Sequence, residues 1–158
     1  MNAGTTPPMP AAIRQSLASY TTMTLAYVDE SGPGACAVLY APATGPRPAL
    51  VFVTSTSTRH GRALQDQSPA QVAFTAQQDG QEWSDLTGVQ GRGRCQRLEG
   101  DDRNAAWDIY SARFPFVVAD ATLVAAMERT AMWAVAPTWL RLINNRTGFG
   151  HKDEWSAL

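Results

Sequence analysis

The sequence is poor in the residues that build metal centres and disulfide frameworks. It contains only two cysteines and two histidines in 158 residues. Cys36 and Cys95 have no CxxC spacing, so we interpret both as small buried hydrophobic residues and expect no disulfide framework. Neither histidine has cysteines or carboxylates at ligand spacing, and no metal site is predicted.

Long apolar runs and a targeting segment are also missing. Fully apolar runs such as residues 49–53 are about five residues long, far below the roughly 18 that a membrane span needs. The N-terminus has no basic segment followed by an apolar core, which predicts that there is no signal peptide. We therefore expect a cytoplasmic protein that does not associate with a membrane.

The chain has no excess charge of either sign. It carries 13 basic and 14 acidic residues, a net charge of −1, and 17% of its residues are charged. No nucleic-acid partner is expected, because proteins that bind nucleic acid normally carry a basic excess. The apolar fraction of 44% is enough to bury a core, which excludes a disordered chain.

Three common catalytic and nucleotide-binding motifs are absent. The sequence has no GxGxxG, no GK[ST] and no GxSxG. No side chain stands out as a catalytic acid, base or nucleophile, so the catalytic residues are unknown at this level. If the protein carries out a reaction, the reactive group is expected to be a bound cofactor.

The length and the hydrophobic pattern predict one domain. Residues 1–9 are expected to form a disordered lead and residues 10–158 a single domain. Helices are predicted at about 10–20, at 58–67, at 102–114 with Asp101 as N-cap, and near 120–129. Strands are predicted at 23–28, 35–40, 49–53, 71–76, 86–98 and 132–143, with an irregularity at Pro137. This order predicts a mainly β (α+β) fold, a small six-stranded antiparallel barrel with peripheral helices, and the polar segment 144–155 is not expected to form a core strand.

The most informative segment is a hydroxyl-rich turn at residues 53–62, which read VTSTSTRHGR. It leads from a buried strand through five consecutive Ser or Thr residues into a helix. Ser57 or Thr58 can cap that helix and leave backbone N–H groups free at its start.

The charges at this helix start have the wrong sign for local stability. Its first turn carries Arg59, His60 and Arg62, and the first acid is Asp66. The helix N-terminus is itself partially positive, so a bound phosphate would resolve the conflict. The alternative is a solvated loop whose arginines point into water.

The strand at residues 88–96 carries two glycines on one face. Its alternation places Gln90 on the opposite face, where the amide side chain suits the edge of a heterocycle. Gly91 and Gly93 indicate either a bend of a barrel or the close approach of a planar ligand. Trp155, near the C-terminus, must pack on its own barrel, on a neighbouring subunit or on a ligand.

These segments together resemble the pyridoxamine 5'-phosphate oxidase-like, FMN-binding split-barrel superfamily, in particular its small bacterial members. The similarity extends from about residue 23 to residue 155. Residues 50–60 resemble the family's strand followed by Ser-Arg-Lys, with His60 in place of the lysine. Residues 68–74 resemble its Asn-Pro strand, and residues 88–93 resemble its Val-Gln-x-x-Gly strand.

The resemblance implies a split β-barrel homodimer with FMN at the subunit interface. Arg59 and His60 would hold the phosphate, helped by Ser57 or Thr58, and Gln90 would contact the flavin ring. The backbone at Val53, Thr54 and Ser55 would line the isoalloxazine, and Trp155 matches the family's C-terminal region. The chain has no C-terminal Arg-x-His, so oxidation of vitamin B6 is not expected.

The implied function is an FMN-dependent oxidoreductase acting on a small molecule, with an electron donor such as NAD(P)H. Two alternatives remain: a flavin-binding carrier or sensor without catalysis, and a dimeric scaffold without a cofactor. A deazaflavin or a haem in the same barrel is also open. The sequence does not identify the substrate.

Overall fold

The structure, a computed structural model, describes residues 6–157. The first five residues of the expected lead at 1–9 therefore lie outside the described residues. Among the lead residues that the structure describes, 6–9, Met9 is half-buried and packs against the core. The carbonyl of Pro7 accepts a hydrogen bond from the indole Nε1 of Trp155 at 2.8 Å.

The helices and strands alternate in short segments along the chain. The described elements are α1 Ala11–Ser19, β1 Thr22–Asp29, β2 Gly32–Ala43, β3 Ala49–Thr54, α2 Arg59–Asp66, β4 Ala70–Gln77, β5 Thr87–Leu98, α3 Gly100–Arg113, α4 Ala121–Glu128, β6 Ala131–Asn144 and β7 Lys152–Ser156. Two 3₁₀ turns, Trp83–Asp85 and Pro115–Val118, complete the order.

The strands form one antiparallel sheet that closes on itself. Its order is β3-β2-β1-β4-β5-β6-β7, and a further pairing between β3 and β6 joins six strands into a ring. The predicted six-stranded barrel is confirmed. The expected irregularity at Pro137 is also present, since the β5–β6 register shifts between Arg92 and Gly93, which pairs with Pro137.

The seventh strand corrects the prediction for residues 144–155. β7 pairs with the outer part of β6, opposite residues 139–143. Its only buried residue is Trp155, which is 5% exposed, while Lys152 and Glu154 are exposed. Because a single inward side chain among polar residues carries almost no periodic signal, the strand could not be recognised from the pattern.

The start of α3 also differs from the prediction. The helix begins at Gly100, so Asp101 is in its first turn and is not the N-cap. Glu99 occupies the cap position without a side-chain hydrogen bond to the helix. The acids Asp101 and Asp102 in the first turn instead stabilise the helix by interacting with the positive N-terminal end of its dipole.

Two hydrophobic clusters hold the fold together. The larger contains the inward-facing strand residues together with Ile13 and Leu17 of α1 and Leu64 of α2. The smaller lies between α3 and strand residues such as Val51 and Met132. The strand β3 contributes to both clusters, which explains why residues 49–53 are continuously apolar.

The glycines of β5 are needed by the barrel itself. A Cβ at Gly91 would come closer than 3.0 Å to three atoms of the Phe74 ring, which is 2% exposed. A Cβ at Gly93 would come closer than 3.0 Å to the carbonyl oxygen of Ala136 on β6. The sequence left open a bend of the barrel or a planar ligand. The structure adds another reason, which is close packing of the chain's own residues on both glycines, and the β5–β6 register shift at Gly93 accompanies it.

Candidate functional site

The hydroxyl-rich turn joins β3 to α2, and Thr58 caps the helix. The Thr58 Oγ1 accepts the Gly61 N–H at 3.0 Å and donates to the Ser55 carbonyl at 2.8 Å. The Arg62 N–H donates to the Thr58 carbonyl at 2.9 Å. The N–H groups of Arg59 and His60, the first two of the helix, have no acceptor within it and are available for an anion.

Gly61 allows the helix to approach the turn. A Cβ at this position would come closer than 3.0 Å to the carbonyl of Ser55 and to Oγ1 of Thr58. Gly61 was not among the predicted site residues, although a glycine in the first turn of a short helix indicates a close approach of the backbone.

The two serines of the turn bond to each other. The hydroxyls of Ser55 and Ser57 lie 2.7 Å apart, and the Ser57 N–H donates to the Ser55 Oγ at 3.1 Å. These contacts fix the shape of the turn and leave each hydroxyl with remaining hydrogen-bonding capacity.

His60 is held inside the turn. Its Nε2 lies 2.6 Å from the Thr54 Oγ1, and its ring centroid lies 6.2 Å from that of Tyr27. Burial lowers the pKa of the His60 imidazole. The neutral form is therefore favoured at neutral pH, so His60 adds a hydrogen-bonding group and little positive charge.

Arg59 has a carboxylate partner that the local sequence does not reveal. Its Nε donates to the Asp29 Oδ2 at 2.6 Å and its Nη2 to the Asp29 Oδ1 at 3.0 Å. This hydrogen bond from Arg59 is the main cause of the lowered pKa of the Asp29 carboxyl. The first acid that meets the basic helix start is therefore not Asp66, as the sequence predicts, because the charge of Arg59 is compensated by Asp29 at the end of β1, 30 residues earlier.

A cleft lies beside this ion pair. It has a volume of about 700 Å³ and is formed by the β1–β2 turn and the outer face of α2. Its charged lining residues are Asp29, Glu30, Arg59, Arg62 and Asp66. The guanidinium of Arg62 donates to the Ser57 carbonyl, so it also braces the turn.

The end of β3 has an unpaired edge. β2 pairs with β3 only at residues 49–52, so Val53 and Thr54 have no partner on β2. On the other side, both residues pair with β6. This gap in the β2–β3 ladder lies next to the turn and includes two of the three residues, Val53, Thr54 and Ser55, that the resemblance assigns to the flavin ring. Val53 is half-buried, whereas Thr54 is 8% exposed and its carbonyl accepts the Trp133 Nε1–H at 3.1 Å.

Gln90 lies elsewhere on the barrel. It is exposed on β5 and pairs with Arg141, whereas Thr54 pairs with Ala131, ten residues earlier on β6. Near Gln90, the centroid of the Trp139 ring lies 4.7 Å from the guanidinium carbon of Arg92 and 5.1 Å from the guanidinium carbon of Arg141. The structure therefore gathers Val53–His60 at one place and does not bring Gln90 beside them within one chain.

Trp155 packs on its own barrel, one of the three arrangements that the sequence left open. Its indole belongs to the larger core cluster, and its Nε1 donates to Pro7. It therefore does not join the turn.

Metal and membrane signals are also missing from the described part of the chain. Across residues 6–157, no three His, Cys, Asp or Glu side chains come together to hold a metal ion. Over the same residues, no helix is long and apolar enough to cross a membrane.

Comparison with solved structures defines the class of fold. A heme binding protein from Mycobacterium smegmatis superposes with a TM-score of 0.65 at 24% identity, covering 96% of this chain and 60% of that one. A pyridoxinephosphate oxidase family protein from Clostridium acetobutylicum gives 0.61 at 14% identity, with 90% of each chain covered. A fad-binding protein from Mesorhizobium loti gives 0.61 at 16% identity over 85% of this chain and 94% of that one. The chain has the pyridoxamine 5'-phosphate oxidase-like split-barrel fold.

Comparison of sequences places the chain in a family within that class. The UPF0306 protein YhbP of Escherichia fergusonii is 30% identical over 144 residues, which cover 91% of this chain and 90% of that protein. YhbP of Escherichia coli O157:H7 is 32% identical over 107 residues, covering 68% of this chain and 66% of that protein. No family model matches the sequence. The chain belongs to the UPF0306 family.

Proposed function

We propose that this protein binds FMN by its phosphate at the turn between β3 and α2 and acts as an FMN-dependent oxidoreductase. The observation that carries the proposal is the capped start of α2, where two free N–H groups and Arg59 lie beside the unpaired end of β3. The solved proteins of this fold include one described as fad-binding and one of the pyridoxinephosphate oxidase family. Bound FMN would supply hydride transfer, with NAD(P)H as the expected electron donor.

The donor set at the turn suits a phosphate. The N–H groups of Arg59 and His60 lie at the start of the helix, where no helix carbonyl accepts them, and the Ser57 hydroxyl precedes them. The Thr58 hydroxyl donates to the Ser55 carbonyl, so Thr58 supports the phosphate site as the helix cap and not as a further donor. Arg59 keeps its Nη1 hydrogens free of Asp29, since that carboxylate contacts Nε and Nη2. His60 contributes hydrogen bonding in its neutral form.

The flavin ring would lie along the open edge at Val53 and Thr54 and the adjoining Ser55. Gln90 is proposed to contact the ring from a second copy of the chain, because within one chain it lies ten residues along β6 from the partner of Thr54. The proposed active form is therefore a homodimer. Sedimentation should show a dimer, and a stable monomer that still binds FMN would contradict the shared site.

The first test is the identity and affinity of the bound ligand. Mass spectrometry of the ligand released by denaturing the purified protein should identify FMN. Titration of the apoprotein with FMN should give saturable binding. Arg59→Ala should weaken FMN binding several-fold, because a charge-assisted contact to the phosphate is lost. Arg47→Ala is the matched control, since Arg47 is exposed in the loop before β3, at the end of that strand away from the turn. Equal affinities for both variants would remove the phosphate assignment.

The same measurements separate the rival functions. Reduction of the bound flavin by NAD(P)H, followed by rapid reoxidation by a substrate, supports an enzyme. A flavin that binds without turnover indicates a carrier or sensor. Protein that stays colourless and shows no thermal shift with FMN indicates a scaffold without a cofactor. If haem or a deazaflavin is released from the purified protein, that molecule and not FMN is the ligand.

A further inference from the structure

The contact between Asp29 and Arg59 resembles the contact expected between Arg59 and a phosphate. A carboxylate presents two oxygens to the guanidinium, and here they accept from Nε at 2.6 Å and from Nη2 at 3.0 Å. A phosphate binds arginine by the same two-pronged geometry. Asp29 therefore occupies a binding edge of Arg59 that an incoming anion would otherwise use.

Asp29 is held in place by the turn that follows β1. Its Oδ1 also accepts the Ser31 N–H at 2.8 Å, and the residue pairs with Gly32, whose φ is +105°. The helix is tied to the same strand, because the Gln67 side chain donates to the Val28 carbonyl at 2.6 Å. The carboxylate is 17% exposed and the Arg59 side chain 52%, so the acid lies beneath the guanidinium and the cation faces solvent.

We propose that Asp29 is an internal anion that competes with the ligand's phosphate for Arg59 and thereby limits how strongly the site prefers FMN over a flavin without a phosphate. The inference rests on the proposed function and adds a residue to it. With Asp29 in place, the Asp29–Arg59 pair carries no net charge. A phosphate bound at the guanidinium is therefore repelled by the carboxylate, which is also negatively charged. Free phosphate and FMN lose this part of the binding free energy alike, whereas a flavin without a phosphate loses none of it. Asp29 thus lowers the preference of the site for the phosphorylated flavin.

The substitution that tests the proposal is Asp29→Asn. The amide oxygen can still accept the Ser31 N–H, so the turn is kept while the charge is removed. FMN should bind up to about fivefold more tightly, the upper limit of what an exposed ion pair contributes. Affinity for riboflavin, which has no phosphate, should not change. Inorganic phosphate, titrated in the absence of FMN, should gain affinity for the variant by about the same factor as FMN.

Two further variants show whether the effect passes through Arg59. Glu30→Gln makes the same change of charge one residue along the turn, where the described residues show no ion pair, and should leave FMN affinity unchanged. In an Arg59→Ala background, Asp29→Asn should give no gain. A gain that persists there, or an equal gain from Glu30→Gln, would overturn competition for Arg59 in favour of general electrostatics.

The outcomes also separate this inference from the proposed function. If the wild type binds FMN and Asp29→Asn binds it equally or more weakly, the competition is refuted and FMN binding stands. If no variant binds FMN in fluorescence titration, both are refuted. Circular dichroism and thermal melting of each variant confirm that the fold is intact.

Discussion

The packing of Phe74 over Gly91 makes a sharp prediction about Gly91→Ala. The two residues are paired across β4 and β5, and the added methyl would come closer than 3.0 Å to three ring atoms. Phe74 is 2% exposed and has no room to leave the core. The methyl must therefore displace the ring or bend the strand.

The expected magnitude follows from two opposing effects. Replacing a glycine by alanine in open space stabilises a protein by about 0.4–1 kcal/mol, because the unfolded chain loses freedom. Overpacking a buried site costs about 1–3 kcal/mol. Contacts with the Phe74 ring well below 3.0 Å place the overpacking cost at the upper end of its range, so we expect Gly91→Ala to lower the free energy of unfolding by about 2 kcal/mol.

The assay is a double-mutant cycle in urea. Phe74→Leu alone removes ring atoms from the core and should destabilise the protein, but it makes room for the methyl of Gly91→Ala. The double variant should therefore be more stable than the sum of the single effects by about 1 kcal/mol. Gly45→Ala is the control, since nothing lies within 4 Å of its Cβ. An additive cycle, or a neutral Gly91→Ala, would refute the packing explanation.

Two predictions concern the candidate site. Gly61→Ala should destabilise the protein by about 1–3 kcal/mol in the same urea assay and weaken FMN binding, because the methyl meets the carbonyl of Ser55 and pushes α2 from the turn; unchanged FMN affinity would contradict the assigned geometry. Gln90→Leu should shift the reduction potential of bound flavin with a smaller effect on affinity, while Gln96→Leu, on the same exposed face of β5, should leave the potential unchanged. Equal reduction potentials for both variants would contradict the proposed contact between Gln90 and the flavin ring.

The parts of the fold that depend on local pattern were predictable. Residues 49–53 are continuously apolar because β3 has core on both faces, and residues 88–96 alternate because β5 has one face in water. The cap at Thr58 was one of two predicted candidates, and its side chain accepts the Gly61 N–H. The strand β7 was missed, because Trp155 is its only buried residue.

The candidate site was only partly predictable, for a different reason. Residues 53–60 are contiguous, so their grouping at one turn follows from the chain itself. The carboxylate that neutralises Arg59 comes from Asp29, which no periodicity or motif connects to the helix. Likewise, the reason for Gly91 is the ring of Phe74, which lies on another strand.

The sequence by itself determined the type and order of the helices α1 to α4 and of the strands β1 to β6, the capped turn and the basic residues at its start, since each depends on residues that are neighbours in the chain. The tertiary structure alone decided how the barrel closes, which carboxylate meets Arg59 and how far Gln90 lies from the turn. These depend on strand register, where a shift of one residue moves every side chain to the opposite face, and register is set by packing between strands that are distant in sequence.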